Sequence, residues 1–98
     1  MKKQKRRQQV AALPYWIDPD GKLKLLLVTS RDTGRWVLPK GWPMKGRRPH
    51  KAAQIEAFEE AGIDGKSRKR AIGTYDYDKD GQIPCRVQVR RIHAAPVP

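Results

Sequence analysis

One stretch of this sequence favours a helix, and patterns typical of strands lie on both sides of it. His50–Ala61 is rich in helix formers, Pro49 suits a first helical turn, and Gly62 suits the C-terminal end. The segments with strand patterns are Val10–Trp16, Lys22–Ser30, Arg35–Pro39, Ala71–Tyr77 and Gln82–His93. This order predicts an α+β fold, in which one mixed sheet is combined with a loop and a helix.

The segments between these elements carry turn and loop signals. Two glycines and a proline make Lys40–Arg48 a loop, and Asp78–Gly81 ends in the Asp-Gly pair of a hairpin turn. The continuous apolar run within Lys22–Ser30 predicts a buried strand. We expect aromatic side chains to form much of the core, together with a small cysteine that is buried or half-buried; these residues are Tyr15, Trp16, Trp36 and Cys85.

Composition narrows the class of protein. A chain of 98 residues has room for one small domain, and its single cysteine excludes both a disulfide framework and a multi-cysteine zinc site. The longest apolar run, Leu25–Val28, is too short to cross a bilayer. Met1–Gln9 is a basic arm that we expect to be disordered, and residues 10–98 form the predicted domain. No apolar signal segment follows the arm, which predicts a cytoplasmic protein.

The glutamates have an unusual placement. The chain holds only three, Glu56, Glu59 and Glu60, within five consecutive residues of the predicted helix. At 100° per residue, Glu59 and Glu60 lie roughly 60° and 40° to either side of Glu56, so all three project from one face. They also crowd the C-terminal half, where the helix dipole disfavours negative charge. A divalent cation, Mg²⁺ or Mn²⁺, would compensate for this arrangement, whereas the alternative is an acidic face paired with some of the many lysines.

The loop before the helix has the composition of a phosphate-binding segment. Gly41 and Gly46 allow the backbone to approach a ligand closely, and a glycine carbonyl is itself an oxygen donor. Cations surround the same place, namely Lys40, Lys45, Arg47 and Arg48. Trp42 is a candidate for stacking on a base or ring. Acidic side chains beside basic ones are typical of sites for phosphoryl transfer.

With these residues in hand, Gly41–Ile63 resembles the Nudix box. The matching positions are Gly41, Glu56, Ala57, Glu59, Glu60, Gly62 and Ile63, and Trp36–Gly41 is similar to the family's approach to the box. The loop looks most like that of the diphosphoinositol polyphosphate hydrolase group. The resemblance implies an α/β/α sandwich, of which the C-terminal strand and helix are expected to be missing. The bare sheet face would then promote self-association.

The resemblance also implies roles for individual residues. It makes the protein a Mg²⁺-dependent hydrolase of a diphosphate linkage in a nucleoside diphosphate derivative, a dinucleoside polyphosphate or a diphosphoinositol polyphosphate. The catalytic residues would be Glu56, Glu59 and Glu60, which with the Gly41 carbonyl would also ligate the metal. Lys40, Lys45, Arg47 and Trp42 would bind the phosphorylated substrate. The general base is not identified.

Two residues depart from the family pattern. Arg47 stands in place of the first glutamate, and Ile55 stands in place of an arginine that orients a neighbouring glutamate. Two alternatives therefore stay open. The chain could be a Nudix-like binding module that has lost turnover, or, given its net charge of +12 and its basic arm, a nucleic-acid-binding protein.

Overall fold

The computed structural model describes residues 5–31 and 33–94. The elements in chain order are β1 (Arg7–Ile17), β2 (Leu23–Leu25), β3 (Val28–Thr29), β4 (Trp36–Val37), β5 (Lys40–Gly41), α1 (Pro49–Ala61), β6 (Gly73–Lys79) and β7 (Ile83–His93). The α+β prediction is confirmed. Within the described ranges α1 is the one helix, and no helix there is long and apolar enough to span a membrane.

Strands β1 and β7 form the centre of a mixed five-stranded sheet. They run parallel to each other from Arg7 beside Cys85 to Tyr15 beside His93. The sheet order is β2-β1-β7-β6, with β5 paired to β1, and the other pairings are antiparallel. A separate two-stranded sheet joins β3 to β4. The predicted hairpin at Asp78–Gly81 is therefore present, between β6 and β7.

Strand β1 is longer than its sequence pattern suggests. It begins at Arg7, so its first three residues belong to the predicted basic arm; residues 1–4 of that arm lie outside the described residues. It also continues through Pro14, where we expected a break. The Pro14 carbonyl accepts from the Leu26 N–H at 3.0 Å, so the missing Pro14 N–H points to the same edge, between the pairings with β5 and β2. Pro14 falls between these two pairings, where no ladder bond requires its N–H, so proline is tolerated.

The leucine-rich segment differs most from expectation. The single buried strand predicted for Lys22–Ser30 is wrong: the segment forms two short strands, and Leu23 and Leu25 are 61% and 50% exposed. Strand β2 pairs only with the end of β1, and nothing in the described part of the chain covers it. Trp36, expected in the core, lies in β4 and is 70% exposed, whereas Tyr15 and Trp16 are half-buried.

Small side chains form the core between α1 and the sheet. Ala52, Ala53 and Ala57 of the helix are fully buried against one sheet face, and their size lets the helix approach the sheet closely. That face contributes Val10, Ala12 and Ile92. The opposite face has a second cluster of Ala11, Val87 and Val89, and Cys85 is buried as predicted. The alanine contact determines which flanks of α1 remain open.

Candidate active site

Helix α1 has the boundaries that the sequence predicts. Pro49 occupies its first turn, and Gly62 ends it in the left-handed conformation at φ 68°. The Gly62 N–H donates to Phe58 at 2.9 Å, and the Ile63 N–H donates to Ala57 at 3.1 Å, which satisfies the last carbonyls. With its alanine face on the sheet, the helix holds one glutamate flank beside β5.

Gly41 lies directly against the Glu56 carboxyl group. It is part of β5, which pairs with Val10 of β1 and so is fixed to the central sheet. A Cβ atom at position 41 would overlap the carboxyl carbon and an oxygen of Glu56. The close approach therefore requires glycine here, as the sequence analysis expected.

Glu60 reaches the same stretch of backbone. Its Oε2 atom accepts from the Lys40 N–H at 3.1 Å. Because Glu56 and Glu60 are four residues apart in a helix, their carboxyl groups converge on β5 from one flank. Glu59 instead lines a groove with Phe58 and Asp64. Within residues 5–31 and 33–94, no three His, Cys, Asp or Glu side chains converge closely enough to hold a metal ion.

Burial and like charge act together on this pair. Burial, followed by the charges of Glu60 and Glu59, raises the pKa of Glu56 to about 7. The ion pairs among the described residues all use aspartates as the acid, in the pairs Arg6–Asp76, Lys24–Asp18, Lys79–Asp80 and Arg86–Asp76. In this part of a strongly basic chain, none of the three glutamates is neutralised by an ion pair.

The donor set fits a hard divalent cation. Mg²⁺ is ordinarily held by one or two carboxylates, and water and substrate phosphates complete its octahedron. Glu56 and Glu60 supply two carboxylates, and Gly41 brings a backbone carbonyl into the same neighbourhood without side-chain obstruction. A cation between the two carboxylates would also remove the repulsion that raises the pKa of Glu56.

The predicted substrate-binding residues lie in β5 and in the loop that leads to α1. The Lys40 ammonium lies 5.3 Å from the centre of the Tyr77 ring. Trp42 is 39% exposed, and the Arg7 guanidinium lies 5.7 Å from the centre of its ring. Lys45 and Arg47 are exposed in the loop that leads to α1. Of these residues, Lys40 is joined to the acidic pair through the bond from its N–H to Glu60.

An aromatic cleft of about 320 Å³ adjoins the site at Lys40. Its walls are formed by Leu27, Trp36, Val37, Leu38, Tyr75 and Tyr77. Tyr75 and Tyr77 are two residues apart in β6, so they share one face of that strand. Leu27 and Trp36 were missed, because their sequence pattern is that of core residues; Trp36 lies in the small β3–β4 sheet and Leu27 directly precedes it.

Ile55 occupies the other flank of α1. It lines the groove that contains Glu59 and has no charge to offer that carboxylate. Glu59 therefore has no arginine at position 55 with which to pair. The pair formed by Glu56 and Glu60 does not involve Ile55.

Comparison with known proteins adds the family. The model of the NUDIX domain matches residues 6–95, nearly the whole chain. Diphosphoinositol polyphosphate phosphohydrolase 3-beta from Bos taurus is 39% identical over 56 residues, which are 57% of this chain and 34% of that protein. The human 3-alpha protein is 38% identical over the same length and share. The matching segment thus spans about a third of the length of these relatives.

Solved structures agree on the fold. The Ap4A hydrolase of C. elegans superposes with a TM-score of 0.77 at 24% identity, covering 92% of this chain and 69% of that chain. The Nudix hydrolase RenU from M. smegmatis superposes with a TM-score of 0.70 at 23% identity, covering 94% and 63%. At these identities the likeness concerns the fold alone.

Proposed function

Because the chain belongs to the Nudix family, we propose that it hydrolyses a diphosphate linkage in a phosphorylated small molecule, with Glu56 and Glu60 holding a divalent cation. The observation that carries this proposal is the convergence of these two carboxylates on Gly41 and Lys40, without a cationic side chain to neutralise them. Nudix hydrolases generally use divalent metals, and Mg²⁺ or Mn²⁺ suits oxygen donors.

The residues of the site have different roles in this proposal. A bound cation would polarise a phosphoryl oxygen and lower the pKa of the attacking water. Glu56 and Glu60 bind it, with the Gly41 carbonyl as a further ligand, and Glu59 holds a second ion or orients water from the neighbouring flank. Lys40, Lys45 and Arg47 neutralise phosphate oxygens of the substrate.

The aromatic cleft suggests which substrate is favoured. Among its lining residues, Lys40 carries the only charge, and the remaining walls are aliphatic or aromatic. A planar apolar group such as a nucleobase suits these walls, because aromatic faces stack on rings. An inositol ring that carries several phosphates would require more cations. We therefore favour a nucleoside diphosphate derivative or a dinucleoside polyphosphate over a diphosphoinositol polyphosphate, with Trp42 as a second stacking surface.

The test is a hydrolysis assay with Mg²⁺ on these three substrate classes. We expect Glu60→Gln to reduce metal-dependent turnover at least 100-fold and to weaken Mn²⁺ binding in calorimetry, because glutamine keeps the acceptor for Lys40 but loses the charge. Asp78→Asn removes one exposed carboxylate from the hairpin and serves as the matched control. Equal activity in Glu60→Gln and in the control would overturn the assignment.

Loss of turnover is the second candidate, and Ile55 is the observation that favours it. A chain that binds phosphorylated ligands without hydrolysing them would keep Mn²⁺ binding and show no product. Ile55→Arg would then restore hydrolysis, because the guanidinium can pair with Glu59 across one helical turn. If Ile55→Arg leaves an inactive chain inactive, the isoleucine is not the cause.

Self-association, nucleic-acid binding, a cytoplasmic location and the domain boundary remain predictions from the sequence. We propose self-association from the sequence, and the structural ground for it is that Leu23, Leu25 and Trp36 are each at least half exposed. Sedimentation that gives a monomer at all concentrations would contradict it. Binding of nucleic acid through the basic arm and a cytoplasmic location are likewise proposed from the sequence. The sequence predicted an arm (residues 1–9) and one domain (residues 10–98). We propose the same division with the boundary moved to Arg7, where β1 begins.

A further inference from the structure

A cavity with a largely basic lining lies beside the connector that follows α1, and no glutamate lines it. It has a volume of about 530 Å³ and is lined by consecutive residues of the connector after α1, Ser67–Ile72, together with Arg91 of β7. Four of these lining residues are cations, namely Arg68, Lys69, Arg70 and Arg91, and none is an acid. We call this space the basic cavity.

The four cations are not neutralised within the part of the chain that the structure describes. None of them takes part in an ion pair there, and none of their side chains donates a hydrogen bond to another group. The surroundings of His50 are also rich in positive charge. Burial, and then the charges of Lys51, Lys69 and Arg90, lowers the pKa of that histidine. Positive charge thus accumulates at this end of α1.

The backbone around the basic cavity is held in place by specific bonds. The buried Arg90 donates from Nε to the Lys69 carbonyl at 3.0 Å and from Nη1 to Gln88 at 3.1 Å. The Arg68 N–H donates to Arg91 at 3.0 Å, and the Ile72 N–H donates to Val89 at 2.8 Å. A connector without regular secondary structure is thereby fixed to β7, so its cations project from a constrained backbone.

The basic cavity and the glutamate pair lie on opposite flanks of the helix. The Ser67 N–H donates to the Gln54 side chain at 3.1 Å, which ties the connector to α1. Gln54 and Glu56 are two residues apart, so their side chains leave the helix roughly 200° apart. A ligand in the basic cavity is therefore separated from Glu56 by the body of the helix.

We propose that the basic cavity is a second anion-binding site, which takes a compact ligand with several phosphate groups. Guanidinium groups offer planar pairs of donors that match phosphate oxygens, and three of the four cations are arginines. The volume lies in the range of small-molecule sites. The exposed Ile72 adds an apolar contact at one wall of the cavity.

The probe is inorganic tripolyphosphate, which is titrated into the protein and followed by calorimetry. The buffer contains a metal chelator, so that no divalent cation bridges the probe to the glutamates. We expect one site per chain. The double variant Arg68→Gln/Arg91→Gln should bind at least tenfold more weakly. The matched control Lys22→Gln/Arg35→Gln removes the same charge from exposed turns and should change the affinity less than twofold. Equal weakening in both variants would mean diffuse attraction and would overturn the proposal.

Two further experiments test where tripolyphosphate binds. Amide shifts on titration of the wild-type protein should concentrate at residues 67–72 and at Arg91, which tests the location even if the double variant fails to fold. Shifts centred on Gly41 would overturn it. Glu56→Gln/Glu60→Gln should bind tripolyphosphate in chelator with unchanged affinity, so the outcome is independent of the proposed hydrolysis. Binding of a single-stranded RNA but not of tripolyphosphate would replace the compact ligand with a polynucleotide and overturn the proposal.

Discussion

Carboxylates occupy two very different electrostatic environments in this protein. Asp76, in the β6–β7 hairpin, receives two hydrogen bonds from Arg86, at 2.9 and 3.1 Å, and an ion pair from Arg6 at 3.3 Å. The Arg86 hydrogen bonds hold the pKa of Asp76 below its usual range. On α1, burial and a neighbouring carboxylate raise the pKa of Glu56 to about 7.

The difference shows where the chain leaves negative charge uncompensated. With 22 Lys and Arg residues against 10 acids, partners for the helix glutamates are abundant in the sequence, yet the ion pairs in the described residues go to aspartates. An acid pair that is held together and left without a partner costs stability. A ligand of opposite charge provides a reason for keeping it.

Of substitutions at Gly41, Glu56 and Asp76, Gly41→Ala is expected to have the largest effect. The added Cβ would overlap the Glu56 carboxyl group, so the carboxylate must move and the pair must separate. We expect turnover to fall at least tenfold and Mn²⁺ binding to weaken in parallel. Gly73→Ala is the matched control, since nothing lies within 4 Å of a Cβ there and its backbone requires no glycine. A fully active Gly41→Ala protein would break the contrast between the two regions.

A smaller effect is expected for Glu56→Gln in metal-free buffer. The pKa of Glu56 in the fold, about 7, lies above its ordinary value of 4.5, so folding favours the protonated form. Wild type should therefore match Glu56→Gln below pH 4.5, lose stability relative to it as the pH rises to 7, and remain less stable above that. At this half-buried group the difference should be about 1 kcal/mol at pH 8, measured by thermal unfolding. A difference that does not change with pH would contradict the origin assigned to it.

The smallest effect is expected for Asp76→Asn. The folded pKa of Asp76 lies below its ordinary value of 3.8, so its contribution to stability is present above that pH and is lost as the pH falls through the folded pKa. The pair is solvent-exposed, and salt should screen it. We expect a slight fall in the melting temperature at pH 7 that disappears in high salt. A larger fall than that caused by a core substitution would mean that the hairpin depends on this aspartate.

Local signals account for what could be predicted from the sequence. Pro49 and Gly62 mark the ends of α1 through backbone preferences that act within one turn, and the spacing of Glu56 and Glu60 alone brings them together. The buried strand predicted for the leucine-rich segment failed because exposure depends on whether a second layer covers Leu23 and Leu25, which no local pattern encodes.

The rest of the candidate site depends on distant contacts. The cation–π contact between Lys40 and Tyr77 joins residues far apart in the chain. The cleft also requires the β3–β4 sheet to face the β6–β7 hairpin. Glu59 was predicted to join the other two glutamates from its helical angle. The groove that it lines is formed with residues after the helix, whose position the spacing of α1 does not determine.

The parallel pairing of β1 with β7 has a consequence for the order of folding. Arg7 lies beside Cys85 and Tyr15 beside His93. Strand β1 therefore pairs with a strand, β7, that is separated from it by most of the sequence. During synthesis, β1 must wait until β7 has left the ribosome, while the β6–β7 hairpin and α1 can form from nearby residues. Closure of this long loop is therefore expected to limit the rate of folding, and newly made chains would expose the alanine-rich side of the helix until it occurs.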